Sequence, residues 1–246
     1  MERNVNFPAA DLSELSVRLG WAQLEIYADD IEQIQVIASG DPHTVNDLRI
    51  EQTGGELAIE QPQYGITLDL THSHWMQLCV RVPKTWDSVI RANTVSGLIV
   101  ARGLGGDAVE LDTISGDIRA SKITAGKLAL KTTAGNLRGE QLMADWITCR
   151  SVSGEITLDD LTARSYRFTS VSGDIRLKLK GGFEQMELRT VSGDCSILTD
   201  VEAARVSMRT VSGHKSMEGV EQSEAEGTPA IRATGVSGNL KITGLR

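Results

Sequence analysis

The sequence predicts an all-β protein: a single-stranded parallel β-helix, or β-solenoid, of about 19–20 residues per coil with an N-terminal β cap or subdomain. A short phrase ending in Ser-Gly returns along most of the chain. Between these phrases apolar and polar residues alternate, and a period of two indicates strands rather than helices. Glycine is abundant (24 residues) and proline scarce (5), which is typical of many short strands joined by tight turns.

The repeating phrase is Thr-Val-Ser-Gly and its close variants. Its glycines are spaced 19, 19, 19, 19, 20, 20 and 25 residues apart: Gly97, Gly116, Gly135, Gly154, Gly173, Gly193, Gly213 and Gly238. Two residues after each glycine lies an apolar column, which Lys215 interrupts: Ile99, Ile118, Leu137, Ile156, Ile175, Cys195 and Leu240. One repeat cannot bury its own apolar face, whereas stacked repeats can. A leucine-rich repeat has a similar period, but its Leu-x-x-Leu-x-Leu phrase and helical half-repeat are absent from the sequence.

The sequence divides near residue 92. Residues 93–246 hold the repeats, and an acidic insertion at 218–229 is typical of a solvated mobile loop, with a binding loop as the alternative. Residues 1–92 contain short alternating segments such as Ile66-Thr67-Leu68-Asp69-Leu70, and a hairpin signal at Thr53-Gly54-Gly55. This front region forms either an antiparallel β cap over the first coil or irregular early coils.

The last repeat ends at Gly244-Leu245-Arg246. A final coil without a neighbour would expose backbone donors and acceptors, and such an edge is prone to pairing. We therefore expect self-association through the C-terminal coil edge, or a partner that covers it. On this hypothesis, proline at Ile242 weakens association without unfolding the rod.

Charge and composition argue against several classes of partner. The net charge is −8, whereas phosphate binding needs a clustered basic surface; this argues against nucleic acid and against direct docking to anionic lipid. The sequence shows no membrane span and no signal peptide, which predicts a cytoplasmic protein. Cys79, Cys149 and Cys195 fit no zinc spacing, so we expect free, largely buried thiols.

The position after the repeat glycine carries an acidic column that could bind a metal ion. Its acidic members are Asp117, Glu155, Asp174 and Asp194, and Asn136 and Asn239 share the position. Hard cations prefer several carboxylate oxygens, which makes these residues the candidate metal ligands. Turn chemistry is the alternative, because Asp and Asn side chains cap tight corners by accepting backbone N–H bonds. We expect no bound cofactor.

Other patterns suggest no catalytic site. His72 and His74 could bind metal from one strand face, but the sequence offers no third ligand. A hydroxyl column could bind ice if it were flat and exposed, whereas charged neighbours such as Lys131 favour hydrogen bonds along the stack. Its members are Thr94, Thr113, Thr132, Ser151, Ser170, Thr190 and Thr210.

The Thr-Val-Ser-Gly-Asp phrase, returning every 19–20 residues, resembles a bacterial family of unknown function with β-strand repeats. Members of that family are labelled "putative adhesins", and some belong to cell-envelope-stress operons. The resemblance covers about residues 90–246, and more loosely the front, where Val80-Arg81-Val82-Pro83 is similar to the family's strand ahead of the first repeat. It implies a β-helix-like fold and interaction at the cell surface or envelope, and it offers no catalytic residues.

We therefore expect a non-enzymatic, adhesin-like scaffold that binds a protein, an envelope polymer or a second copy of itself. The alternative is a polysaccharide-active β-helix enzyme, a lyase or glycoside hydrolase. Such an enzyme needs a groove with a carboxylate pair that departs from the repeat. In this sequence the carboxylates of the repeat region follow the repeat, which favours the scaffold.

Overall fold

The computed structural model describes residues 1–62 and 75–245, which form many strands and one short helix. The first elements are β1 Glu2–Pro8, β2 Glu14–Trp21, β3 Gln23–Asp29, β4 Gln33–Gly40, α1 Pro42–Asp47, β5 Arg49–Thr53, β6 Glu56–Glu60 and β7 Met76–Pro83. The next are β8 Val89–Ser96, β9 Ile99–Arg102, β10 Gly105–Ser115, β11 Ile118–Ala134, β12 Leu137–Ser153, β13 Ile156–Ser172 and β14 Ile175–Leu179. The last are β15 Gln185–Ser192, β16 Cys195–Thr199, β17 Ala203–Arg209, β18 Lys215–Glu218, β19 Glu221–Gln222, β20 Ala230–Ser237 and β21 Leu240–Gly244. The all-β, solenoid-like fold class is confirmed.

Successive repeats pair in parallel, one repeat apart, in two stacks of strands. In the first stack Leu128 pairs with Ile147, which pairs in turn with Tyr166. In the second stack Ile118 pairs with Leu137 and Leu137 with Ile156. The long strands β11, β12 and β13 run through both stacks, and the inward residues of both belong to one continuous core. The apolar columns of the sequence are therefore the core.

Glycine is required at the Ser-Gly corners because the stacked backbones touch there. Gly154 has a φ of +137°, and a Cβ added to it would lie 2.0 Å from the carbonyl oxygen of Gly135. A Cβ added to Gly135 would likewise lie 2.0 Å from the carbonyl oxygen of Gly116 in the preceding coil. Such a separation is far below van der Waals contact, so the repeat glycine is fixed by packing as well as by the turn.

The front region combines parallel and antiparallel strand pairing. Strands β2 and β3 pair in parallel with β8 and β9, and strands β6 and β7 pair in parallel with β2 and β3 on the other side. These strands extend the two stacks. Antiparallel pairing then covers them, through β5 on β6, β4 on β7 and β1 on β4. Helix α1 adds Val45, which is fully buried.

The C-terminal coil lies inside the stack, so the prediction of an open edge at this coil is wrong. Strand β20 lies between β15 and β17, and strand β21 lies between β16 and β18. The coil formed by residues 203–218 is outermost instead. The physical reason is the insertion, which carries the chain past this coil and lets the last repeat pair on both sides.

The outermost coil explains why Lys215 interrupts the apolar column. With no further coil to cover it, an apolar side chain at this position would face solvent. The Lys215 Nζ instead donates to the carbonyl oxygen of Val206 at 3.4 Å and to Gln222 Oε1 at 3.3 Å. The insertion packs on the same end through Val220, which is 7% exposed, and through the pairing of β19 with β17.

Candidate binding face

The outward side chains of the first stack form a continuous face that is strongly basic in its C-terminal half. We define the basic face as the outward residues of segments 127–133, 146–152, 165–171, 185–191, 230–236 and 205–211, in stacking order. Eight of these residues are basic and one, Glu187, is acidic, which gives a local net charge of +7 on a chain whose total is −8. The basic residues are Lys127, Lys131, Arg150, Arg167, Arg189, Arg205, Arg209 and Arg232.

Three carboxylates neutralise part of this charge, and the first, Asp112, pairs with Lys131 at 2.5 Å. Glu187 accepts hydrogen bonds from Arg189 and, at 2.9 Å, from Arg167. Burial by itself would raise the pKa of Glu187, but these two guanidinium groups outweigh it and hold the pKa below its ordinary value. Glu224 of the insertion pairs with Arg205 at 2.8 Å.

Three arginines of the basic face remain available for a ligand. Arg150, Arg209 and Arg232 are exposed and form no ion pair with the residues that the structure describes. Arg167, Arg189 and Arg232 line a shallow groove of about 950 Å³, and the half-exposed indole of Trp146 lines it as well. Arginine guanidinium groups bind carboxylate, sulfate and phosphate oxygens in pairs, so this face can hold an anionic ligand.

An exposed apolar column lies along one margin of the same face. We define the valine column as the second residue of each repeat phrase, in stacking order: Val95, Ile114, Thr133, Val152, Val171, Val191, Val236 and Val211. Its apolar members are between 41% and 86% exposed. Sequence reasoning missed this column, although strand alternation could have found it: the preceding hydroxyl residue is buried, so its neighbour must point outward.

The acidic column serves the corners between coils. Asp117 Oδ1 accepts the backbone N–H of Asn136 at 2.8 Å, and Asp174 Oδ1 accepts that of Asp194 at 3.0 Å. Arg176 pairs with both Glu155 and Asp174 at 2.8 Å. This is the turn chemistry that the sequence offered as the alternative, except that the bonds run from coil to coil. Within residues 1–62 and 75–245, no group of three or more His, Cys, Asp or Glu residues is placed to hold a metal ion.

The remaining candidates differ in position. Most of the hydroxyl column is buried, and its members cap the corners: Ser151 and Ser170 donate to the carbonyl oxygens of Gly154 and Gly173 at 3.2 and 3.1 Å. A buried column cannot be an ice-binding surface.

His72, His74 and the segment 66–70 lie outside the described residues. Cys149 and Cys195 are buried free thiols, whereas Cys79 is half-buried.

Comparisons with known proteins agree with this architecture. The model of the Toastrack DUF4097 family matches residues 12–244. No curated protein matches the chain. Among the part of the chain that is described, no helix has the length and apolar character of a membrane-spanning segment.

Solved structures of similar fold cover nearly the whole chain. A "putative adhesin" from Parabacteroides distasonis ATCC 8503 is 16% identical with a TM-score of 0.62, covering 98% of this chain and 97% of the other. A "putative lipid binding protein" from the same strain is 17% identical with a TM-score of 0.59, covering 97% and 96%. A "putative adhesin" from Bacteroides fragilis NCTC 9343 is 14% identical with a TM-score of 0.57, covering 98% and 97%. At these identities the likeness shows the fold alone.

Proposed function

The chain belongs to the Toastrack DUF4097 family, and on this basis we propose that it is a non-enzymatic binding protein that holds an anionic ligand of the cell envelope on its basic face. The observation that carries the proposal is the separation of charge: a local +7 on a chain of net −8. Charges scattered at random would not collect on one side of one stack. The net charge of the chain is therefore no argument against an anionic partner.

The form of the molecule supports a scaffold rather than a catalyst. We infer that the central repeats coil as a single-stranded parallel β-helix, because β11, β12 and β13 pair in parallel at a constant offset of 19 residues. The acidic column is tied to corner N–H groups and to Arg176, so its carboxylates are occupied by structural bonds. A glycosidase would need two converging carboxylates in a groove.

An adhesin-like role at the envelope is part of the same proposal. Two of the structures of similar fold carry the name adhesin, and a third carries the name lipid-binding protein. A rigid rod with a flat charged side can contact an extended polymer or surface at many points at once. Many individually modest contacts then combine into stable binding.

The test is binding of a soluble polyanion, dextran sulfate, measured by isothermal titration calorimetry at about 50 mM and about 200 mM salt. The test variant is Arg150→Glu with Arg209→Glu, and the control is Arg119→Glu with Arg138→Glu. Both pairs are exposed, but the control pair lies on the second stack. Each double variant changes the net charge by the same amount, so only the position of the charge differs.

We expect the wild type to bind at low salt and to weaken at high salt. The Arg150/Arg209 variant should lose roughly tenfold or more in affinity, with a salt slope lower by about two, while the control stays within a small factor of the wild type. Equal losses in both variants would show that only total charge matters. That result, or absence of binding by the wild type, would refute the proposed function.

A further inference from the structure

We propose that the surface this protein engages is an anionic lipid bilayer, with the basic face and the valine column lying together on the phosphate headgroups. This inference rests on the proposed function and names its ligand. A soluble anionic glycan would satisfy the arginines but would leave the valine column exposed to water. A bilayer surface offers phosphate groups and, just beneath them, apolar acyl chain at the same contact.

The two features share one side of the sheet. Val152 lies two residues after Arg150 on β12, and Val191 lies two residues after Arg189 on β15. In a strand, residues two apart point to the same side. The valine column and the arginines beside it therefore face the same way, and a flat surface can contact both.

The length of the column suits a surface better than a small pocket. The last five members, Val152, Val171, Val191, Val236 and Val211, stack without a break and span about 19 Å at the usual strand spacing. Arg150, Arg189 and Arg209 lie beside this run. Their long side chains can reach headgroup phosphates while the shorter valines pack at the interface.

The charge and the apolar run supply different parts of the binding. Basic residues near an anionic bilayer each contribute on the order of 1 kcal/mol and depend on salt. Burying the valines adds a hydrophobic contribution to the binding free energy, and salt does not screen it. A soluble polyanion cannot supply this contribution, so it distinguishes a lipid surface from such a ligand. Acidic residues are frequent along the front of the same stack, among them Glu14, Glu60 and Glu110, so contact should centre on the C-terminal half.

The experiment is co-sedimentation with vesicles of phosphatidylcholine alone and of an equimolar mixture of phosphatidylcholine and phosphatidylglycerol. The test variant changes Val152, Val171, Val191 and Val236 to Thr. Threonine keeps the branched shape that strands favour, and Thr133 already occupies this column in the wild type. The control is Met143→Thr, which removes another exposed apolar side chain outside the basic face.

We expect the wild type to bind the mixed vesicles and not those of phosphatidylcholine alone. The threonine variant should bind the mixed vesicles about tenfold more weakly while binding dextran sulfate as the wild type does, and Met143→Thr should match the wild type in both assays. Thr133→Val should bind vesicles more tightly because it completes the column.

Two results would overturn the inference without touching the proposed function. In one, the wild type binds dextran sulfate but not the mixed vesicles. In the other, the threonine variant binds vesicles as tightly as the wild type, which would leave the valine column without a role. Failure of the wild type to bind dextran sulfate would instead refute the proposed function itself.

Discussion

Single residues at the corners decide how closely the coils can stack. The repeat glycines lie directly against the backbone of a neighbouring coil, and all of them except Gly116 also have a positive φ. A second kind of corner is more tolerant: Lys122, Gln141 and Asp160 adopt φ values of 54° to 56° with full side chains. The left-handed region costs such residues about 1 kcal/mol, but nothing at these corners demands glycine.

Replacing Gly154 with alanine should destabilise the protein by roughly 3 kcal/mol or more, because the added Cβ would lie 2.0 Å from the Gly135 carbonyl oxygen. Chemical denaturation measures the change. Gly181→Ala is the matched control: it also has a positive φ, of 76°, but nothing lies within 4 Å of its added Cβ. It should cost about 1 kcal/mol. Equal losses at both positions would contradict the packing argument.

The cysteines should differ in reactivity according to burial. Burial raises the pKa of Cys195 to about 12, with Asp194 and Asp174 adding to the effect, and burial raises the pKa of Cys149 as well. Neither thiolate forms at mildly alkaline pH in the folded protein. A thiol reagent should therefore modify Cys79 first, and Cys79→Ser should abolish the reaction before unfolding. Prompt labelling of Cys149 in the native protein would contradict its burial in the core.

At the scale of elements, the strands at the C-terminal end do not stack in chain order. Strand β21 pairs with β16 on one side and with β18 on the other. The coil of residues 203–218 therefore depends on residues 230–244, which come later in the chain. This coil cannot take its final place until the last repeat has been inserted beneath it.

Ile242→Pro should consequently destabilise the protein by about 3 kcal/mol, rather than act at an edge alone, because Ile242 is fully buried and paired on both sides. Ser216→Pro on β18 is the comparison, since β18 pairs with β21 on one side and should lose less. Limited proteolysis should find residues 203–218 cleaved early in the Ile242 variant. Similar stability of the two variants would argue against the interior position of β21.

At the scale of the whole molecule, the two ends of the rod are closed by different means. Antiparallel strands and helix α1 cover the front, whereas a lysine and the insertion cover the far end. A charged residue in an inward column of an outermost coil opposes edge-to-edge pairing. The end of the rod is thus protected, whereas the basic face remains open.

Lys215→Leu should restore the apolar column and allow rods to associate end to end. Light scattering coupled to size exclusion should then show a mass that rises with concentration, while the wild type stays unchanged. Lys178→Leu, on the outward side of β14, removes the same charge away from the end and should not associate. If both lysine variants keep the mass of the wild type, Lys215 does not prevent end-to-end association.

The sequence alone determined the repeat, its period, the core columns and the family, because each depends on residue identity at a fixed spacing. The Ser-Gly corners and the buried thiols Cys149 and Cys195 followed from the same pattern. Alternation within a strand also predicts the outward valine column. Apolar character alone would instead assign these residues to the core, which is why the column was missed.

Tertiary structure alone decided the order of the last coils and the grouping of charge. The path of the insertion, which places residues 230–244 beneath residues 203–218, depends on pairing partners that no local pattern specifies. Arg167, Arg189, Arg209 and Arg232 are far apart in the chain and meet only because strands from separate repeats lie side by side. Net charge sums over the whole surface, whereas a ligand meets one face, and stacking determines which charges share that face.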